Sequence, residues 1–363
     1  MHAIKKISAL QLYFVFTLSI GITNHVLLIP VLLHFGRRDS WLGAAASIIP
    51  LVVWVILLYV IIKKSAQRKM IDWLKQRFGN FIAFPVLILV LALSVLHATI
   101  TLKDIVIWTH VSYLPRTPQT VITIIFLTFC FFAALAGLRA IAIVSGLLLP
   151  AVVLLGFFVM TSNFQYKDYS LLMPLFTHGY EPAIKSALLT NGASFELMAI
   201  LFLQHHVSSK IRLSSLFILS ICIVGLTIGP LTGAIAIFGP FEAADLRYPA
   251  FEQWRMVTIS KYISHLDFLS IYQWISGACV RMSLLLFLML DVMGVSKPRV
   301  RTCLLIGLSI FFLVIGMYPI EDDWIRKQIV TWYYPLIFVV GLLLPLVLLV
   351  LAYLPLKRKE QKT

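Results

Sequence analysis

The sequence predicts an all-α polytopic membrane protein with about ten transmembrane helices. Three observations carry this. Of the 363 residues, 60% are hydrophobic and only 12% charged, whereas a soluble domain is about half apolar and about a quarter charged. The apolar residues fall in runs that reach the roughly 20 residues a helix needs to cross a bilayer. Segments of about 10 residues alternating in polarity, the mark of a membrane β-barrel, are not found. The same composition excludes a soluble globular enzyme, a disordered chain and a disulfide-rich secreted scaffold.

By the bilayer-length rule the spans fall at about 10–35, 41–62, 82–108, 119–138, 140–162, 182–206, 214–239, 268–293, 302–319 and 330–355. Lys5 and Lys6 precede the first. That run is too long for a signal-peptide core and no small-residue cleavage site closely follows it, so it is expected to be a membrane helix. Spans four and five meet in a tight turn near Gly137 and Arg139. An even number of spans puts both ends on one side. With the N-terminus inside, the inner segments hold Lys5, Lys6, Lys63, Lys64, Arg68, Lys69, Lys75, Arg77, Arg139, Lys210, Arg212, Lys297, Arg299, Arg301 and the tail Lys357, Arg358, Lys359 and Lys362. The outer basic residues are fewer and interleaved with Asp and Glu, so cytoplasmic termini are expected. The net charge of +15 thus encodes topology, and no nucleic-acid partner is expected. Cys130, Cys222, Cys279 and Cys303 are scattered, with no metal or redox spacing.

Three connecting segments carry structure of their own. Residues 63–80 place Met70, Ile71, Trp73, Leu74 and Phe78 near one face of a short helix opposite Lys and Arg, as for a helix lying on the inner membrane surface. In the longest outer loop, 240–266, Pro249 opens a short helix bearing Phe251, Trp254 and Val257. The semi-apolar run Leu171 to Phe176 within 163–181 is expected to pack on the helices as a lid.

Two spans carry interruptions. Span one holds Gly21-Ile22-Thr23-Asn24-His25 and then Pro30; span six holds Thr190-Asn191-Gly192-Ala193-Ser194. Glycine costs about 1 kcal/mol relative to alanine within a helix, and Asn, Ser and Thr offer the backbone competing hydrogen bonds. In lipid, unwound backbone survives only where protein or a cavity satisfies it. One such motif equally fits close helix packing. Two of them, at corresponding places in two five-helix halves, point to a transporter-type binding site. Free N–H groups at the breaks would take an anionic group and carbonyls an ammonium, a combination that suits a zwitterionic amino acid. The candidate ligand set is Gly21, Thr23 and Asn24 facing Thr190, Asn191, Gly192 and Ser194, with Phe195 beside them. On this reading Gly192→Trp blocks binding without preventing insertion.

Charges inside spans are functional candidates. Glu196 lies near the middle of span six and Arg281 near the middle of span eight. Unpaired, each would cost at least about 2.5–3.5 kcal/mol. They are expected to pair, in a structural or a gating role, or Arg281 stands in for a coupling cation. His97, central in span three, is either a hydrogen-bonded core residue or a proton relay or ligand contact. Lys103 and Asp104 are expected to snorkel or pair locally. Asp291 lies at the inner end of span eight, and His205 and His206 end span six, where cations complement the helix dipole; as neighbours the two histidines should point to different faces, so no metal is assigned to them. No phosphate loop, nucleophile elbow or metal motif is found, and neither an enzyme activity nor a cofactor is expected.

Gln11 ahead of Ile20-Gly21-Ile22, Leu28-Ile29-Pro30, Leu172-Met173-Pro174-Leu175, Gly179, Pro182, Phe195-Glu196, Tyr248-Pro249 and the stretch from Trp274 to Arg281 resemble, in order and spacing, the GerAB-type family. These are the B subunits of spore germinant receptors, a branch of the amino acid–polyamine–organocation transporter superfamily. The resemblance covers nearly the whole chain. It implies one transmembrane domain, 1–363, built of two inverted five-helix repeats, 10–162 and 182–355, as in LeuT-like transporters. It also implies a nutrient pocket at the breaks of spans one and six, lined further by spans three and eight. The implied ligand is a small nutrient, an amino acid ahead of a sugar or nucleoside. The implied partners are an A-type subunit and a lipoprotein C-type subunit in the inner spore membrane. Two stretches depart from the family pattern: Ser264-His265-Leu266-Asp267, and Thr23-Asn24-His25, which is more polar than the small apolar run expected there. An ion-coupled amino acid permease is the alternative function, since fold alone does not separate sensing from transport.

Overall fold

A computed structural model of the chain describes residues 6–259, 266–295, 297–319 and 322–355, without the side chains of 322, 323 and 326. Lys5, Lys357, Arg358, Lys359 and Lys362 of the expected inner segments, and Ser264 and His265 of the outer loop, lie outside these residues. The described chain is helical, joined by short turns.

The first apolar run, Ala9–Ser65, has 57 residues. As one straight helix it would be about 85 Å long, nearly three times the hydrocarbon thickness. It folds back at Arg37, which takes a positive φ of 42°, so that spans one (9–36) and two (40–65) are antiparallel crossings. The remaining eight spans are Asn80–Ser112, Gln119–Ala136, Leu138–Ser162, Glu181–His206, Leu213–Phe238, Leu266–Val292, Pro298–Met317 and Ile329–Tyr353. Each matches its expected position within a few residues. Gly137, at φ 90°, makes the tight turn between spans four and five that an L side chain would strain.

Span eight is buried along most of its length, whereas spans five and nine expose most of theirs, as lipid-facing helices do. Span eight packs on spans one and three, span one on span five, and span six on span ten. Span one also packs on six, two on seven and four on nine. Gly341 allows the approach of span ten to six: a Cβ there would sit 2.5 Å from Phe195 Cβ.

The connecting segments are tied into this frame. Helix Met70–Phe78 buries Met70, Ile71, Trp73 and Leu74 against the start of span three. Its apolar face is thus turned into the protein, not laid on the membrane surface. Arg77 Nη2 donates to Leu354 O at 2.5 Å, closing the end of span ten. Helix Pro249–Arg255 buries Phe251 and Trp254 beside the stacked rings of Trp108 and Trp274, 4.1 Å apart. The 163–181 segment is fastened to the first turn of the fold: Arg38 Nε donates to Leu171 O at 3.1 Å, and Phe176 N to Asp39 Oδ1 at 3.0 Å. Lys103 and Asp104 are both buried and part company. Lys103 Nζ donates to Gly316 O (3.2 Å) and Tyr318 O (2.6 Å) at the end of span nine, where free carbonyls favour a cation. Asp104 lies 3.6 Å from Arg247 of the outer loop.

Candidate functional site

Span six is shaped by its own small polar residues. Ser186, Thr190 and Ser194 each donate a hydroxyl to the carbonyl four residues back, all at 2.8 Å, and Asn191 Nδ2 does the same at 2.9 Å. Such back-bonding loosens and bends a helix. After Ser194 the α-helix gives way to a 3-10 turn, Phe195–Ala199. In span one the helix widens instead, into a π-turn at Thr23–Leu27. There Asn24 Nδ2 donates to Thr227 Oγ1 (3.1 Å) and Ser194 Oγ (3.4 Å), and His25 Nδ1 meets Leu226 O at 3.1 Å. Both interruptions therefore stay helical, where unwound backbone was expected. Changing the hydrogen-bond spacing to three or five residues keeps N–H and C=O groups paired, as an apolar environment demands.

One turn along span six, Glu196 and Arg281 form a bidentate pair. Arg281 Nη2 donates to Glu196 Oε1 at 2.7 Å, and Nη1 to Oε2. The rest of the guanidinium is also used: Nε donates to Thr101 Oγ1 at 2.8 Å and Nη1 to Ser19 O at 3.1 Å. His97 Nδ1 lies 2.8 Å from Tyr333 Oη and 3.2 Å from Glu196 Oε1, and Tyr333 Oη donates to Glu196 Oε1 at 3.3 Å. All these side chains are buried. Spans one, three, six, eight and ten thus meet on one ion pair, whose charges are offset locally and whose donors are satisfied.

The arrangement divides the expected site in two. Asn24 and Ser194 meet, as do His97, Glu196 and Arg281. Thr23, Asn24, Thr190, Asn191 and Ser194 are all buried and line neither of the two cavities described next. A cavity of about 50 Å³ touches His97, Glu196 and Arg281, room for water only. A groove of about 1660 Å³ runs along another face of span one, towards spans five and seven, and of the candidate ligand set it touches Gly21 alone. Gly192 faces span ten: a Cβ there would lie 3.1 Å from Phe338 Cβ. A tryptophan would wedge spans six and ten apart, so Gly192→Trp is not the selective pocket block expected from sequence. Phe195 stacks on Trp54 at 4.6 Å and belongs to the packing of spans two and ten.

Three buried polar atoms of the two breaks, Thr23 Oγ1, Asn24 Oδ1 and Asn191 Oδ1, have no hydrogen-bond partner among the described residues. Sequence reasoning missed Tyr333, Thr101 and Thr227. Thr101 was within reach, since it lies one turn from His97 on the same face of span three. Tyr333 sits in a π-turn of span ten, Ile329–Tyr333, that no glycine or polar cluster announces. His205 and His206, expected to point apart, both reach Asp291, at 3.3 Å and 2.9 Å. The last turn of span six is 3-10, Gln204–His206, and it sets both rings beside the carboxylate: Oδ1 is hydrogen-bonded to His206 Nε2, while Oδ2 lies 3.3 Å from His205 Nε2.

Ten apolar crossings among the described residues, packed around a buried ion pair and with altered helical turns in spans one and six, define a multi-pass, transporter-like membrane protein. The chain belongs to the spore germination protein family, whose model matches residues 5–324. It is 42% identical over 304 residues to spore germination protein XB of Bacillus anthracis, an alignment that covers 84% of this chain and 85% of that protein. Membership of this family ties the chain to spore germination and to a receptor- or transporter-like role.

Proposed function

We propose that the protein is the B-type subunit of a nutrient-germinant receptor, and that its ligand binds where the breaks of spans one and six meet. The observation that carries this reading is the set of buried atoms without hydrogen-bond partners among the described residues, Thr23 Oγ1, Asn24 Oδ1 and Asn191 Oδ1. Buried polar groups are nearly always paired, and two of these three can only accept. They suit a donor such as the ammonium of an L-amino acid, ahead of a sugar or nucleoside. The described conformation is closed around them. Binding requires a second state in which the two breaks separate, and the nutrient acts by preferring that state. The contacts of span one with six, two with seven, three with eight and four with nine support two inverted five-helix repeats, 10–162 and 182–355. Basic residues concentrated in the inner segments support cytoplasmic termini. The site of action is the inner spore membrane, with A-type and lipoprotein C-type subunits as partners.

The test is thermal unfolding in nanodiscs against L-amino acids, sugars and purine nucleosides. A ligand at 100 times its Kd adds about 2.7 kcal/mol. One ligand class should raise the midpoint, and Asn24→Leu should abolish that rise. No rise with any class would overturn ligand binding by this subunit. An ion-coupled permease is the second reading, favoured by the small cavity beside His97 and Glu196, where protonatable groups meet space for water. Substrate flux in proteoliposomes separates the two.

A further inference from the structure

The geometry points to a divalent transition-metal site at the basic end of the bundle, formed by His205, His206 and Asp291. One candidate ligand atom from each of these residues lies within 4.8 Å of the others. His206 Nε2 is 2.9 Å from Asp291 Oδ1, and His205 Nε2 is 3.3 Å from Oδ2. The two imidazoles are 4.0 Å apart, centroid to centroid, and inclined at 40°. A tetrahedral ion with bonds of about 2.0–2.2 Å has its ligand atoms roughly 3.3–3.6 Å apart. The two imidazole–carboxylate separations, one to each oxygen of Asp291, are at or somewhat below that edge length, and one ligand atom from each of the three residues lies within 4.8 Å of the others. Small side-chain rotations admit the ion, with the fourth position left to water. Two imidazole nitrogens and one carboxylate oxygen are borderline ligands that select Zn²⁺ or Co²⁺ over Ca²⁺ or Mg²⁺.

The surroundings fit a site with limited access. His206 and Asp291 are buried while His205 is partly exposed, which gives an ion one way in. Phe287 packs against the His206 ring at 5.4 Å and carries the Arg301 guanidinium over its face, 4.9 Å from the centroid. That cation is thereby held to the ring. The site also gathers three parts of the chain. His205 and His206 end span six, Asp291 ends span eight, and Ile7 N donates to His206 O at 2.9 Å while Ser208 N donates to Ile7 O at 2.9 Å. A bound ion fixes the end of span six to the end of span eight and, through the His206 carbonyl, to the segment leading into span one. It is independent of the nutrient pocket proposed above.

The experiment titrates metal-stripped protein in nanodiscs with Co²⁺ and follows the visible ligand-field bands that tetrahedral Co²⁺ produces, with Zn²⁺ as competitor. One equivalent should bind with tetrahedral bands and no thiolate charge-transfer band, and Zn²⁺ should displace it and raise the unfolding midpoint. His205→Ala, His206→Ala and Asp291→Asn should each weaken binding at least tenfold. His34→Ala and His178→Ala, both exposed elsewhere on the surface, should leave it unchanged. Should the His206 variant fail to fold, the partly exposed His205 and the isosteric Asp291→Asn decide alone. Failure of the wild type to give tetrahedral bands, or bands that persist in the His205 and Asp291 variants, would overturn the site and leave a histidine-neutralised carboxylate.

Discussion

Span six carries two polar clusters one turn apart, and they use their atoms in opposite ways. Glu196 has both oxygens engaged by Arg281, a third contact from Tyr333 and His97 beside it. In the preceding turn Thr190, Asn191 and Ser194 bond back to their own helix, and Asn191 Oδ1, with Thr23 Oγ1 and Asn24 Oδ1 across from it on span one, has no hydrogen-bond partner among the described residues. The charged cluster is closed upon itself; the neutral one has capacity to spare. In a low-dielectric interior a charge must be matched within the protein, whereas an unmet neutral acceptor costs only about 1–3 kcal/mol, an amount a ligand can return. Charge here fixes five spans, and on the function proposed above the neutral polar atoms recognise the ligand.

The largest expected effect breaks the charged side of that contrast. Arg281→Ala leaves a buried carboxylate unpaired and should cost about 3–5 kcal/mol, read as loss of folded protein or a strongly lowered unfolding midpoint in nanodiscs. The reversed pair, Glu196→Arg with Arg281→Glu, should recover part of it. Wild-type stability of Arg281→Ala would mean that the ion pair holds nothing together.

Packing around the same turn gives the next effect. Gly341→Ala places a Cβ 2.5 Å from Phe195 Cβ, and Phe195 is fixed in turn against Trp54. Overpacking of this kind costs about 1–3 kcal/mol. An unchanged midpoint would show that spans six and ten slide easily past each other, and the neutral cluster would lose its rigid backing.

Removing a single hydroxyl should do less. Tyr333→Phe deletes the group between His97 and Glu196 but leaves both Arg281 bonds to the carboxylate. The loss should be about 0.5–1.5 kcal/mol. A loss as large as that of Arg281→Ala would make Tyr333, not the guanidinium, the group that holds the carboxylate.

The ten crossings were legible because each needs only an apolar run of bilayer length, and composition supplies that without reference to neighbours. Glu196 and Arg281 were legible as partners because two opposite charges in mid-membrane have few other ways to persist. The course of the breaks was not. Gly21 and Gly192 with small polar neighbours look alike in sequence, yet span one widens and span six tightens. The choice rests on where side chains bond: Asn24 reaches out to Thr227, while Thr190 and Ser194 turn back on their own helix. His205 and His206 were misread for a related reason, since the angle between adjacent side chains depends on the type of the last turn and on Asp291, which is 85 residues away. Gly192 reads as room for a ligand until the facing residue, Phe338 of span ten, is known.

The smallest change in stability should accompany the largest change in response. Asn24→Leu removes the donations to Thr227 and Ser194, but each of those hydroxyls keeps a backbone carbonyl as partner, Ile223 O at 3.4 Å and Thr190 O at 2.8 Å. The substitution also removes a buried acceptor that had no partner. Replacing a polar side chain by an apolar one of similar volume is nearly neutral when nothing is left unpaired, so the unfolding midpoint should fall within about 1 kcal/mol of wild type. The ligand-induced rise should nevertheless vanish, because the leucine offers no acceptor to an ammonium. A variant as unstable as Arg281→Ala would place Asn24 among the groups that hold the spans together, and the division between a fixing cluster and a recognising one would fall.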